Sequence, residues 1–273
     1  NSGAGGLEVA LDELCQKVSS AIDQENNIVI LSDRGVDGDH APIPSLLATS
    51  AVHHHLIRQG TRTKVGLVVE SGEPREVAHF ALLFGYGAGA INPYLALETA
   101  VSLGNQQTSH GSTENAKRGS EFIHAIHKGV VKVISKMGIS TLQSYRGAQI
   151  FEAIGLNKEF IAEYFTGTPS RIGGIGLDKI EKDSLERHAK AYLNHNSTDS
   201  QGIPLGGFYQ WRRNGEHHMW NPDSIARVQY ATRANDAKAF REFTDRVDYE
   251  TRRLCTIRGL LEFKNGYGPV SLE

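Results

Sequence analysis

Apolar positions along the chain fall into two alternating patterns. Residues 7–23 place Leu7, Ala10, Leu11, Leu14, Val18 and Ile22 near helical spacing with acids on the other side, which predicts an amphipathic helix. The unbroken run Ile28-Val29-Ile30-Leu31 within 27–34 is short and β-branched, and it predicts a strand buried on both faces. A polar loop, GVDGDHAPIP, leads into a helix at 44–59 closed by Gly60. Residues 64–72 read as a second buried strand. Pro74 suits the first position of a helix through 75–84. A third short apolar run, within 88–95, ends at Asn92-Pro93.

Helical text follows at 95–103, then a polar loop at 104–115. A long helix is predicted at 115–137, with Phe122, Ile123, Ile126, Val130, Ile134 and Met137 on one stripe. A short strand is expected within 138–145, a helix over 146–156 closed by Gly155, and a helix over 158–165 capped by Asn157. A Gly-rich turn at 167–176 precedes a charged helix at 178–193. This α-β-α-β order predicts an α/β fold of parallel strands with crossover helices, either doubly wound or an incomplete TIM-barrel-like domain.

The character changes after about residue 195. Residues 194–208 are polar and Gly-rich, and 206–224 alternate aromatic and polar residues around Asn214-Gly215, a hairpin turn signal. Asn221 and Pro222 suit the cap and first position of a helix at 223–234, with another helix at 236–246. The expected organisation is one domain over 1–195 and an extended and helical connecting segment over 196–273 that leads into a further domain.

Charge narrows the function classes. The net charge is −2 and acids and bases are interspersed, so no broad positive face is available for nucleic acid or an anionic membrane. No apolar run is long enough to span a bilayer. Cys15 and Cys255 lie near opposite ends, with no CxxC and no Cys/His cluster at zinc spacing, as for idle thiols in a reducing compartment. The amino end lacks a basic, then apolar, leader pattern, and neither end closes an element, so a segment of a longer chain is expected.

Few residue patterns carry chemistry. His53, His54 and His55 point in three directions on a helix and read as packing histidines. His124 and His127 share a helix face, but two ligands are too few for a metal. His217 and His218 point to opposite faces of an expected strand. RIGGIG (171–176) and GYGAG (85–89) match neither a dinucleotide fingerprint nor a P-loop, although RIGGIG before a helix could cradle a phosphate. Ser32, Asp33 and Arg34 are the leading site candidates, because ligand-contacting groups gather at the carboxyl ends of parallel strands. An Asp–Arg pair that fixes the loop is the competing structural explanation. Glu70-Ser71-Gly72 and Asn92-Pro93-Tyr94 recur at the equivalent ends of the next two strands.

Long strings in the chain resemble a known family. LSDR (31–34), the segment 42–96 that includes VHHHL and VVESGEPREVAHFALLFGYGAGAINPYLA, KVISKMGISTLQSYRGAQIFEAIGL (132–156) and TPSRIGGIGLD (168–178) are similar to the central domain of glutamate synthase large chains. GGFYQWRRNGEHHMWNPDSIARVQ (206–229) resembles the start of the following synthase, or FMN, domain. The resemblance implies a multidomain oxidoreductase of the cytoplasm or plastid stroma. In it a glutaminase domain releases ammonia, a tunnel carries it, and an FMN domain fed through a 3Fe–4S cluster makes glutamate from 2-oxoglutarate. A small subunit or ferredoxin would donate electrons. The central domain would separate the two sites and line the tunnel, with Ser32, Asp33 and Arg34 as the tunnel-mouth or interface group. Cys15 is not N-terminal and cannot be the glutaminase nucleophile, and two distant cysteines cannot hold an iron–sulfur cluster. No catalytic, FMN-binding or metal residue is therefore expected within these residues, and the isolated segment is expected to be inactive. A free-standing α/β binding protein for a phosphorylated small molecule is the alternative.

Overall fold

The computed structural model describes residues 5–105, 112–192, 206–207, 210–250, 256–261 and 266. The chain divides into two units, Asn1–Asn194 and His195–Glu273. The first runs α1 (Gly6–Asp23), β1 (Ile28–Ser32), α2 (Ser45–Arg58), β2 (Gly66–Glu70), α3 (Val77–Gly85), β3 (Ala90–Asn92), α4 (Tyr94–Asn105), α5 (Ser112–Lys136), α6 (Leu142–Tyr145), β4 (Ala153–Leu156), α7 (Lys158–Tyr164), β5 (Ser170–Ile175) and α8 (Leu177–Tyr192). The α/β class and the parallel pairing hold: β1-β2-β3 form one parallel sheet and β4-β5 a second. No closed barrel forms among the described residues.

One face of the larger sheet carries the core. Leu31 and Leu67 pack with Val18 and Ile22 of α1 and Val52 and Leu56 of α2. Val69 packs with Leu83 of α3 and with Ala88, while Ile91 also meets the cluster of Phe80, Ile126 and Val130. The opposite face is open, which corrects the expectation of two-sided burial for β1. Ile28 is 65% exposed and Ile30 is 60% exposed. The side-chain period of two sends these residues away from the helices.

Backbone demands on particular residues explain the other differences from the sequence pattern. The expected helix over 146–156 is instead a turn followed by β4. Gly147 (φ 74°), Gln149 (φ 53°) and Gly155 (φ 79°) are left-handed, which a continuous α-helix cannot absorb. The expected Gly-rich turn at 167–176 contains β5, and a Cβ at Gly174 would collide with the Gly155 backbone, so glycine is what allows these two strands to approach. The expected strand within 138–145 is α6, capped by Thr141, whose hydroxyl accepts from Ser144 N at 3.2 Å. Pro74 does not open α3, because the extended Glu76 (φ −131°) is its cap. Asn157 caps α7 as expected, accepting from Phe160 N at 2.8 Å. Most of the 194–208 linker lies outside the described residues, as do residues 106–111, half of the polar loop expected at 104–115. Its two ends fall in α4, which reaches Asn105, and in α5, which begins at Ser112.

Two helix starts in this unit are capped from distant elements. Glu181 of α8 accepts from Gly5 N at 3.0 Å and Leu7 N at 3.3 Å. Glu73 accepts from Ser45 N at 2.7 Å at the start of α2. Each carboxylate satisfies free amide groups and opposes the positive end of the helix.

In the second unit, α9 (Pro222–Ala234) and α10 (Ala237–Glu250) form a helical pair. Asn221 and Ser224 make a reciprocal capping box, and Pro222 opens α9. Asn214 (φ 60°) and Gly215 do form a turn, with Gly215 N donating to Arg212 O at 3.0 Å. No strand flanks it among the described residues, so His217 and His218 do not lie on a strand.

Glu181→Ala should remove the cap that ties α8 to α1. A loss of about 1 kcal/mol in urea unfolding is expected. An unchanged midpoint would show that the contact contributes nothing.

Candidate functional site

Three strands end at the same level, and the residues after them meet. Ser32, Glu70 and Asn92 are register partners across β1, β2 and β3. Their side chains join: Ser32 Oγ donates to Glu70 Oε2 at 2.6 Å and Asn92 Nδ2 donates to Glu70 Oε1 at 3.1 Å. Arg34 Nε donates to Glu70 Oε1 at 2.8 Å, and its guanidinium lies 4.1 Å from the centre of the Tyr94 ring. The hydrogen bond from Arg34, with help from Ser32, holds the Glu70 carboxyl below its ordinary range, and the same bond raises Arg34.

Asp33 turns the other way and ties the strand ends together. Its Oδ2 accepts from Ser71 Oγ at 2.6 Å, and both carboxylate oxygens lie 3.1 Å from Gly72 N. Tyr94 OH donates to Oδ1 at 2.8 Å. Burial, reinforced by this bond to a carboxylate, pushes the Tyr94 hydroxyl up to about 12.

A cavity of about 210 Å³ opens beside this network, lined in part by Ser32, Asp33, Ser71, His40, Pro42 and Leu31. His40, Ala41, Pro42 and Ile43 also line a second cavity of about 410 Å³, whose other wall includes Leu7, Glu181 and Leu185. The segment 40–43 therefore borders both spaces.

The structure thus places Ser32, Asp33 and Arg34 together at the rim. They are not simply an Asp–Arg pair: Arg34 bonds Glu70, and Asp33 bonds Ser71, Gly72 and Tyr94. Reading the sequence located the three strand ends but not these cross-strand partners. The available signal was positional, since each partner directly follows or closes its own strand.

The remaining motifs have structural roles. His53 Nδ1 accepts from Arg62 Nε at 2.9 Å, and Arg62 also donates to the Val65 and Gly87 carbonyls at 2.8 Å. Burial, aided by Arg62, His54 and Arg146, lowers His53 to about 4. Burial and Arg58 lower His54 and His55 as well. His55 Nε2 and Ser19 Oγ are hydrogen-bonded at 2.8 Å. His124 and His127 are exposed on α5, and no group of three His, Cys, Asp or Glu among the described residues could hold a metal. Burial pushes the Cys15 thiol up to about 11, so it stays protonated at neutral pH, while Cys255 lies outside the described residues. A single protonated thiol does not fit an iron–sulfur cluster. All of RIGGIG but Gly176 lies in β5, where Gly174 packs against the β4 backbone at Gly155. No described helix is long and apolar enough to cross a membrane.

The fold and rim define a parallel α/β domain whose polar strand ends are cross-linked by side-chain hydrogen bonds. The sequence model of the glutamate synthase central domain matches residues 1–157, and the chain belongs to that family. The NADPH-type glutamate synthase large chain of Bacillus subtilis is 46% identical over 98% of this chain and 17% of its own length. The NADH-type enzyme of Schizosaccharomyces pombe is 41% identical over 96% of this chain and 12% of its own length. The ferredoxin-dependent chloroplastic enzyme of Spinacia oleracea is 36% identical over 98% and 17%. The chain therefore spans under a fifth of the length of these relatives.

The depressed histidines make the fold acid-sensitive. Unfolded histidine binds protons below about 6.5, while folded His53 does so only near 4, so stability falls as pH drops between those values. His53 alone should cost about 3 kcal/mol across that window. Urea unfolding at several pH values should show this loss, and His53→Gln should flatten it; a profile that is already flat would contradict the assignment. Gly87 (φ 113°) is left-handed, and a Cβ there would collide with the His53 ring. Gly87→Ala should destabilise by about 2 kcal/mol or more, read as a lower unfolding midpoint.

Proposed function

We propose that this chain is the scaffold and channel-forming central region of a glutamate synthase large chain. The parent enzyme would make glutamate from glutamine and 2-oxoglutarate by reductive amino transfer, in the cytoplasm or the plastid stroma. In this reading residues 1–195 are the central domain, and 196–273 are the linker and the beginning of the FMN domain. The glutaminase and FMN domains of the same chain are the partners, and FMN and the 3Fe–4S cluster are held outside these residues. The isolated segment would be inactive. The relatives are named for different electron donors, NADPH, NADH and ferredoxin, yet each relative matches nearly the whole chain. That supports a role shared by all three types and remote from the site of electron entry.

One observation carries the channel reading: the cavity at the rim is bordered by Asp33 and Glu70, whose carboxylates each accept from three protein groups. A free carboxylate would attract ammonium and hold it. Asp33 accepts from Ser71, Gly72 and Tyr94, and Glu70 from Ser32, Asn92 and the cationic Arg34, so the protein occupies most of their acceptor sites and neutral ammonia meets few open ones. At about 30 Å³ per water-sized molecule, 210 Å³ accommodates several small molecules.

Asp33→Asn in the intact enzyme tests this. Its amide nitrogen must face one of the donors that Asp33 accepts from, which would loosen the strand ends. Glutamine hydrolysis should then outrun glutamate formation, with free ammonia in the medium. An unchanged ratio of the two rates would remove Asp33 from the channel.

A further inference from the structure

We infer that the open face of the β1-β2-β3 sheet is an interdomain contact, covered by aliphatic or aromatic side chains from another domain of the same large chain. The inference rests on the proposed reading that these residues are one region of a longer polypeptide.

The open face has three register rows. Ile28 stands beside Gly66, Ile30 beside Val68 and Ala90, and Ser32 beside Glu70 and Asn92. The upper row is polar and internally bonded, and Glu70 shares its charge with Arg34. The lower two rows are apolar. Ile28 and Ile30 are mostly exposed, although both stand beside helix-packed neighbours of the same strand. Parallel sheets are almost always covered on both faces, because each face buries apolar side chains. Among the described residues of this unit, the helices pack on one face only.

Two observations identify the occupant. The relatives are six to eight times longer than the span they share with this chain, since that span is 12% to 17% of their length, so most of such a polypeptide lies outside these residues. The face also has its own shape. Along the middle row the side chains shrink from Ile30 to Val68 to Ala90, and Gly66 leaves a dip beside Ile28. A complementary surface fills that slope with larger aliphatic or aromatic groups over Ala90 and Gly66. The compensated upper row favours an uncharged cover, which suits a protein surface and gives nothing to a nucleic acid or a lipid headgroup.

Ile30→Cys in the full-length large chain tests the contact. Maleimide labelling of the introduced thiol is followed by peptide mass spectrometry and compared with the same chain in denaturant. Labelling should be slower by at least about tenfold, at a rate independent of protein concentration. Labelling close to the denatured rate would overturn the inference. Protection that disappears on dilution would also overturn it, since a second copy would then be the cover. Ile28→Cys provides an independent reading if the first variant folds poorly. The readout does not involve ammonia. A protected thiol with intact coupling in Asp33→Asn would sink the channel reading alone, and an exposed thiol with lost coupling would sink the interface alone.

Discussion

The first unit depends on burying one face of a short parallel sheet. Leu31, Leu67 and Val69 can leave water only if α1, α2 and α3 lie on the same side of the strands. Each strand adds only a few apolar side chains to that layer. The alignment of the strand ends follows from the pairing Ser32, Glu70, Asn92, and the network around Asp33 is possible only because of that alignment. The rim is therefore a consequence of packing on the far side of the sheet. Its polar groups are matched to one another, which suits a wall better than a reaction centre.

The same constraint leaves the other face unpaired. Isoleucines there would be a liability in a free-standing domain. In a domain enclosed by a much longer chain they become part of a larger core. The second sheet repeats the pattern, with Ile154 and Ile172 as register partners that are both exposed.

Much of this was legible in the sequence. Helices with a periodic stripe and a side-chain cap, such as those started by Asn157 and Asn221, follow their local pattern because cap and stripe agree. Three of the strands are visible as short apolar runs, the first two rich in β-branched residues. Reading failed where backbone conformation overrides side-chain pattern. The stretch 146–156 has helical spacing, but Gly147, Gln149 and Gly155 adopt left-handed angles. RIGGIG reads as a turn by composition, yet Gly174 serves a strand pairing that depends on Gly155 some twenty residues earlier. The open side of β1 was invisible because a continuous apolar run gives no sign of which face a helix will cover. At the site, Ser32, Asp33 and Arg34 could be placed by topology, whereas Tyr94 and Ser71 as partners of Asp33 required the strand register.

The central claim is that these residues wall a passage for ammonia, and isotope retention tests it directly. The intact enzyme is given glutamine carrying heavy nitrogen in its amide, with unlabelled ammonium in the medium, and the label in newly made glutamate is measured. The account predicts near-complete retention in the native enzyme and dilution by the medium in Asp33→Asn. Equal retention in both would show that the rim at Asp33 does not border the path.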